Sequence, residues 1–349
     1  NNCDGTIDEG CSTDCKGSCC PTTTNLGSSG NYVSGNLYYD QTLFQIPNTK
    51  PAIDFTISYN SLDTYTGPLG KGWTHTFNTN ITKQGSSITL MKQDGKRVNF
   101  TSGIGGAYYS DVKTGEHSVI VASTNNYTLT AKDGTTYTFD TSGKLTTIKD
   151  RNNNTTLLAY TGDNLTTITD SSGRIIQITT SGGKITSVTT PDNKIYNLAY
   201  TGDYLSTVTD PQNNTWQITY DTNSKMLTKK DPNNYTTTYT YDTQGRVSTS
   251  TDPEGKTKTI SYDQINNKAT VTEKDGGVWT YKYDNNLNVP LQITDPQGNI
   301  TQKTYDSNAN LISKTDPDGT ATTYTYDDSG NMLSTTDALN QTTTYTYNQ

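Results

Sequence analysis

The chain is 349 residues long, only 29% hydrophobic and 17% charged, with a net charge of -8 at pH 7 and a mean hydropathy of -0.77. That is too little apolar material for one large core and too little charge to hold a chain unfolded by self-repulsion. A pI near 4.8 offers nucleic acid no basic surface, and no apolar run approaches the roughly 18 residues of a membrane-spanning helix. A Thr-, Asn- and Tyr-rich composition, with 25 tyrosines that bury well, predicts an all-β chain of many short strands over thin cores.

Residues 1–20 hold every cysteine of the chain: Cys3, Cys11, Cys15, Cys19 and Cys20. A cysteine-dense head before a thiol-free body predicts a disulfide-stapled segment in an oxidising compartment, hence a secreted or cell-surface protein. The odd count leaves one thiol for another chain or for a residue upstream of Asn1. A C-x3-C-x3-C zinc site is the rival, and it lacks the usual C-x2-C knuckle and a histidine. No leader is visible, and a chain that starts inside a motif predicts one already removed. Asn2, Asp4, Thr6 and Asp8 are candidate calcium ligands, spaced as in an oxygen-ligand loop with Gly5 at the sharp turn. An Asp/Gly turn between disulfides is the plainer reading of the same residues. The stretch "NNCDGTIDEGC" resembles the Cys-containing metal-binding repeats of secreted bacterial proteins, which implies an Asp before Asn1. Residues 21–36 are a Thr/Ser/Gly linker.

Residues 37–129 read as a β domain. Ile53, Phe55, Ile57 and Tyr59 alternate with Asp54, Thr56 and Ser58, the pattern of a half-buried strand. Trp73 is expected as a core anchor rather than a stacking surface for a ligand. His75 and His117 are the only histidines, and neither has the setting of a catalytic base. The glycines of "GIGGAYY" at residues 103–109 neither complete a G-x-G-x-x-G nor lead into a helical pattern, so no phosphate cradle is expected. The succession "SYNS", "GPLGKGWTHTF", "DGKRV" resembles the N-terminal module with which Rhs and other YD-repeat proteins begin a spiral β-sheet.

Residues 130–349 are a repeat array of about ten copies. Tyr220-Asp221, Tyr241-Asp242, Tyr262-Asp263, Tyr283-Asp284, Tyr305-Asp306 and Tyr326-Asp327 recur at steps of 21 or 22 residues, and Tyr347-Asn348 closes the series. Degenerate copies at Tyr200, Thr180, Tyr160 and Phe139 extend it backwards. Each period holds two turns about ten residues apart. In "YDTQG", Asp242 caps the turn and Gly245 supplies positive φ; in "TDPEG", Asp252 caps, Pro253 presets φ and Gly255 closes. Asp210, Asp231, Asp295 and Asp316 repeat the second turn. These carboxylates are therefore expected as turn caps. A glycoside-hydrolase pair is excluded, because catalysis needs two unlike carboxylates and every copy carries the same one.

This pattern, with G-R-V or G-x-L after the first turn and T-D-P-x-G at the second, resembles the Rhs/YD-repeat family of bacterial Rhs proteins, toxin-complex C subunits and teneurins. The resemblance implies hairpins laid side by side in one long, spiralling antiparallel sheet, which in several relatives wraps a toxin. A capsule wide enough for a folded domain needs ~150 Å of sheet per turn, whereas about 22 strands supply ~105 Å. The favoured expectation is a non-enzymatic extracellular structural element, a filament subunit or surface-fibre segment, whose edge at Thr344, Tyr345, Thr346 and Tyr347 adds to another copy or continues into further repeats. A toxin-shell segment and a carbohydrate-binding adhesin are the alternatives. Calcium is the single cofactor expected.

Overall fold

The structure, a computed structural model, describes residues 23–25, 29–110, 118–328 and 330–347. Among them the only helical element is a short 3-10 turn at Ile104–Gly106. One antiparallel sheet of 27 strands runs from Asn80–Gln84 to Thr342–Thr344. Ahead of it, Tyr38–Ile46, Ile53–Asn60 and Trp73–His75 form a separate three-stranded sheet.

Alternation along each strand sorts the two faces. In Thr236–Tyr241, Tyr239 is fully buried while Thr240 is exposed and meets Thr249 Oγ1 at 2.7 Å across the hairpin. Thr251 and Thr257 make the same contact between hairpins at 2.8 Å. Tyr and aliphatic side chains thus line one face of the sheet, and threonines tile the other.

The ladders are unequal. Within a hairpin closed by a Tyr-Asp turn the strands stay paired to the turn, with an extra residue bulged out: Thr240 faces Thr249, then Tyr241 faces Val247. Between hairpins three pairs usually form, such as Thr228 with Thr238, Lys229 with Thr237 and Lys230 with Thr236, although five join Lys268–Thr272 to Val278–Asp284. Neighbouring hairpins therefore part toward the Tyr-Asp edge. The repeat tyrosine spans that gap. The hydroxyl of Tyr241 donates to the Met226 carbonyl at 2.8 Å, and Tyr160, Tyr200, Tyr220 and Tyr262 do the same to Leu145, Ile185, Leu205 and Val247, each 15 residues back. A basic residue after the turn covers the same ring: Lys144, Lys184, Lys225 and Arg246 lie 5.8, 5.9, 5.6 and 4.3 Å from the ring centres of Tyr160, Tyr200, Tyr241 and Tyr262, within cation–π range.

The small sheet packs against the Tyr face of the large one. Trp73, fully buried, donates from Nε1 to the Tyr220 hydroxyl at 2.8 Å. The Tyr59 hydroxyl accepts the Met226 N–H at 2.9 Å, Phe44 sits 5.2 Å from Tyr196, and Tyr32 stacks on Tyr281 at 3.9 Å. At the beginning of the wall the Ile81 N–H reaches the Gly143 carbonyl at 3.0 Å, beside a bridge between Asn80 and Lys144. The three-stranded sheet touches wall residues from Tyr196 to Lys229, and Tyr32 ahead of it reaches Tyr281, so this part of the chain lies inside a concave wall. The wall curls back on an earlier part of itself, with Lys132 Nζ, after its sixth strand, 6.0 Å from the Tyr347 ring centre. Twenty-one strands separate those two places, about 100 Å of sheet. The small sheet packs against the inner face of this turn.

The tyrosine relay does not run through every copy: Lys268, 15 residues before Tyr283, pairs directly with Lys282, which leaves no gap to span. The Tyr305 hydroxyl is buried with no acceptor, and the hairpin before it is one residue longer, Tyr283 facing Pro290 where Tyr241 faces Val247. Tyr241→Phe should therefore cost about 1 kcal/mol in chemical denaturation by stranding the Met226 carbonyl, whereas Tyr305→Phe should cost nothing. Equal losses in the two variants would show that the relay carries no stability.

Candidate functional site

The turn carboxylates are local caps. Asp242 Oδ1 accepts the N–H groups of Gln244 and Arg246, both at 2.9 Å, while Oδ2 takes the Arg246 guanidinium. Partial burial alone would raise this carboxyl, but those donors hold it below its ordinary range. Asp252 binds the Glu254 and Lys256 amides in the same way, and the Lys274 ammonium at 2.9 Å holds its carboxyl down. Asp210, Asp231 and Asp295 repeat the two-amide cap. Asp316 differs. Its backbone closes the turn, but its carboxylate pairs with Lys314 at 2.8 Å, and Asp318 caps Thr320 instead. At the Asp275-Gly276 turn the first position belongs to Glu273, which bonds Gly276 and Gly277 through its backbone.

Gly255 has φ +82 and open space around the position of a β-carbon, so backbone conformation alone demands it. Gly255→Val should cost about 1–2 kcal/mol, whereas Asp252→Asn should leave the unfolding midpoint nearly unchanged, since Asn also accepts from the turn amides. A midpoint unmoved by Gly255→Val would remove the turn argument.

A cavity of about 540 Å³ lies where the small sheet meets the Tyr-Asp edge and is lined by Tyr65, His75, Tyr160, Lys144, Lys184 and Asp203, among others. Its charges are already matched: Lys144 pairs with Asp163 at 2.7 Å and Lys184 with Asp203 at 2.8 Å. His75 is 1% exposed, stacks on Phe55 at 5.2 Å and accepts the Phe77 N–H at Nδ1. No nucleophile, base and orienting group meet there. Among the described residues there is no cluster of three or more potential metal ligands.

Burial pushes His75 down to about 3, so it is neutral in the folded chain. The unfolded chain binds a proton near 6.5, and between that value and about 3 stability falls as the pH is lowered, by up to about 1.4 kcal/mol per pH unit. His75→Asn, which keeps an acceptor for Phe77, should flatten the stability profile between pH 6.5 and 4. A profile as steep as that of the parent would place the acid sensitivity elsewhere.

The expected calcium ligands Asn2, Asp4, Thr6 and Asp8, all five cysteines, and His117 lie outside the described residues. At the far edge, Thr342–Thr344 pairs with Met332–Thr336. Tyr345 and Tyr347 are 40% and 48% exposed, although Tyr347 still donates to the Met332 carbonyl. Thr344 and Thr346 are exposed as well.

Family models match three stretches of the chain: a domain of unknown function, DUF6531, over residues 30–100, the Teneurin YD-shell over residues 124–258 and the RHS Repeat over residues 305–342. The chain belongs to the Rhs/YD-repeat family. Among curated relatives, the tRNA3(Ser)-specific nuclease WapA of Bacillus spizizenii and the tRNA nuclease WapA of Bacillus subtilis strain 168 are each 29% identical over 131 residues, 37% of this chain. The aligned stretch spans about 6% of the length of those relatives. Among solved structures, TcdB2-TccC3-Cdc42 matches with a TM-score of 0.42 and 14% identity, covering 86% of this chain and 19% of that one. A TcdB2-TccC3 structure matches at a TM-score of 0.42 and 15% identity, covering 86% and 17%. Within the Rhs/YD-repeat frame, the tyrosines at the 21-residue step are the residues of the relay, and the G-R-V basic residue is the one that covers their rings. No helix among the described residues is long and apolar enough to cross a membrane, a statement that does not bear on β-barrels.

Proposed function

We propose that this chain is the first, plugged turn of the wall of a secreted Rhs-type shell, a structural and non-catalytic part whose partner is further wall or a guest held within it. The observation that carries this reading is the gradient of burial along the concave face. Where the interior is filled, Tyr239 and Tyr281 are 0% and 3% exposed, and further along the wall the equivalent Tyr324 is only half-buried. A wall that is sealed at its beginning and opens its aromatic face inward as it proceeds suits an enclosure. Nuclease activity is not transferred from the WapA relatives, since the aligned stretch is so small a part of them.

A second reading, a filament subunit, is favoured by one feature: the strand Thr342–Thr344 keeps one side without a ladder partner among the described residues, a surface suited to strand addition. Negative-stain microscopy of the full-length secreted protein separates the two. Closed particles with a stain-excluding wall are expected; threads of uniform width, abolished by Thr344→Lys with Thr346→Pro, would replace the shell by the fibre. The proposed calcium loop of the head is read in the same preparation, by calcium titration of the oxidised protein and of Asp4→Ala.

A further inference from the structure

The strand Ile300–Tyr305 breaks the rule of the inner face. Two residues before each repeat tyrosine the wall carries an apolar or aromatic side chain, as at Leu198, Ile218, Tyr239, Ile260 and Tyr281, all buried. In this copy the position is Lys303, 9% exposed. It makes no ion pair or hydrogen bond among the described residues. The residue directly opposite it is a second cation, Lys314, whose ammonium is already held by Asp316 at 2.8 Å. Like charges facing each other across a ladder destabilise a sheet. Two residues along the same face, the Tyr305 hydroxyl is the one described above as buried without an acceptor. Asn288, in the adjoining long turn, likewise buries its Nδ2 with no partner. Two buried donors without a partner, the Tyr305 hydroxyl and Asn288 Nδ2, thus gather beside a lysine that has no ion pair or hydrogen bond. Each is costly to bury alone, and all three have the polarity that an oxyanion would satisfy.

We propose that the inner wall at Lys303 and Tyr305 is a binding site for an oxyanion, a carboxylate or a phosphate, held by the ammonium and the phenolic O–H. Burial, followed by the Lys314 charge, pushes Lys303 down to about 8, so it remains a cation at neutral pH. Burial also pushes the Tyr305 phenol up, which keeps it a donor. An anion seated between them would raise the Lys303 midpoint back toward its ordinary value, since an opposite charge within about 4–6 Å raises an amine.

The test follows the ε-methylene carbon signals of the lysines by NMR in the full chain through a pH titration, with sodium chloride, inorganic phosphate and sodium acetate at matched ionic strength. The Lys303 signal is assigned by its loss in Lys303→Ile, or in Lys303→Arg should the first not fold. The expected result is an upward shift of the Lys303 midpoint by about one pH unit in phosphate, acetate or both over chloride, reduced in Tyr305→Phe. A shift in acetate alone marks a carboxylate site, and one in phosphate alone a phosphate site. Neither anion moving the midpoint beyond chloride, or an undiminished shift in Tyr305→Phe, would overturn the proposal. A second readout needs no ligand: Lys303→Ile should raise the thermal midpoint, since it replaces a largely buried lysine that has no ion pair or hydrogen bond with an apolar side chain like those at the equivalent positions.

Discussion

Everything in this wall depends on how a curved sheet satisfies the carbonyls that its curvature exposes. The Tyr-Asp hairpins, except the one closed at Tyr262-Asp263, carry an extra residue, such as Ser248 after Val247. The carbonyl of the residue before it, here that of Val247, is turned out of the inter-hairpin ladder. A buried carbonyl without a donor costs about 1–3 kcal/mol, and the splayed edge lets in no backbone N–H to meet it. A tyrosine from the next repeat is long enough to cross the gap, fills it with its ring and ends in the hydroxyl the carbonyl lacks. Phenylalanine would supply the filling without the donor, and threonine the donor without the reach.

That one device explains the composition. A wall one sheet thick cannot bury much per residue, so a chain at 29% hydrophobic depends on large amphipathic rings that count as both core and hydrogen-bond donors. It also explains the basic residue of the G-R-V motif. Arg246 reaches back to its own turn carboxylate at 2.7 Å and lies 4.3 Å from the next ring, so one side chain braces the turn and covers the bridging tyrosine. The hydroxyls on the outer face have a comparable double use: Thr146, Thr166, Thr186 and Ser206, each at a bulge, donate to carbonyls of the facing strand. In later copies the bulge residue is Leu227, Leu291, Ile312 or Leu333, which leaves that surface more apolar.

The repeat unit, its two turns and the antiparallel sheet were legible because hairpin chemistry is local: an Asp cap, a residue tolerant of positive φ, and period-two alternation all sit within a dozen residues. Less legible was anything set by neighbours. The left-handed position is Ser224 in one turn and Ala309 in another, residues whose local preference runs against it. Glu273 rather than Asp275 heads its turn, and Asp316 spends its carboxylate on Lys314. The acceptor of a bridging tyrosine such as Tyr241 lies 15 residues upstream, across a gap that no pairwise pattern in the sequence announces. The side of the sheet that faces inward was likewise open until the small sheet was seen against it. Lys303 looked like one more polar residue in a polar strand; its oddity is visible only by superposing its place in the period on Tyr239 and Ile260.

The fixed 15-residue reach of the tyrosine bears on heredity as well as on folding. A crossover between two copies of the repeat that removes or duplicates one whole period leaves every surviving tyrosine facing an equivalent carbonyl, so wall length can drift between generations without penalty to the joints. A gain or loss of a few residues within a period unhooks one joint, as the longer hairpin before Tyr305 has done. Such a wall evolves easily by whole courses of brick, and a misfit joint survives where something else has made use of it.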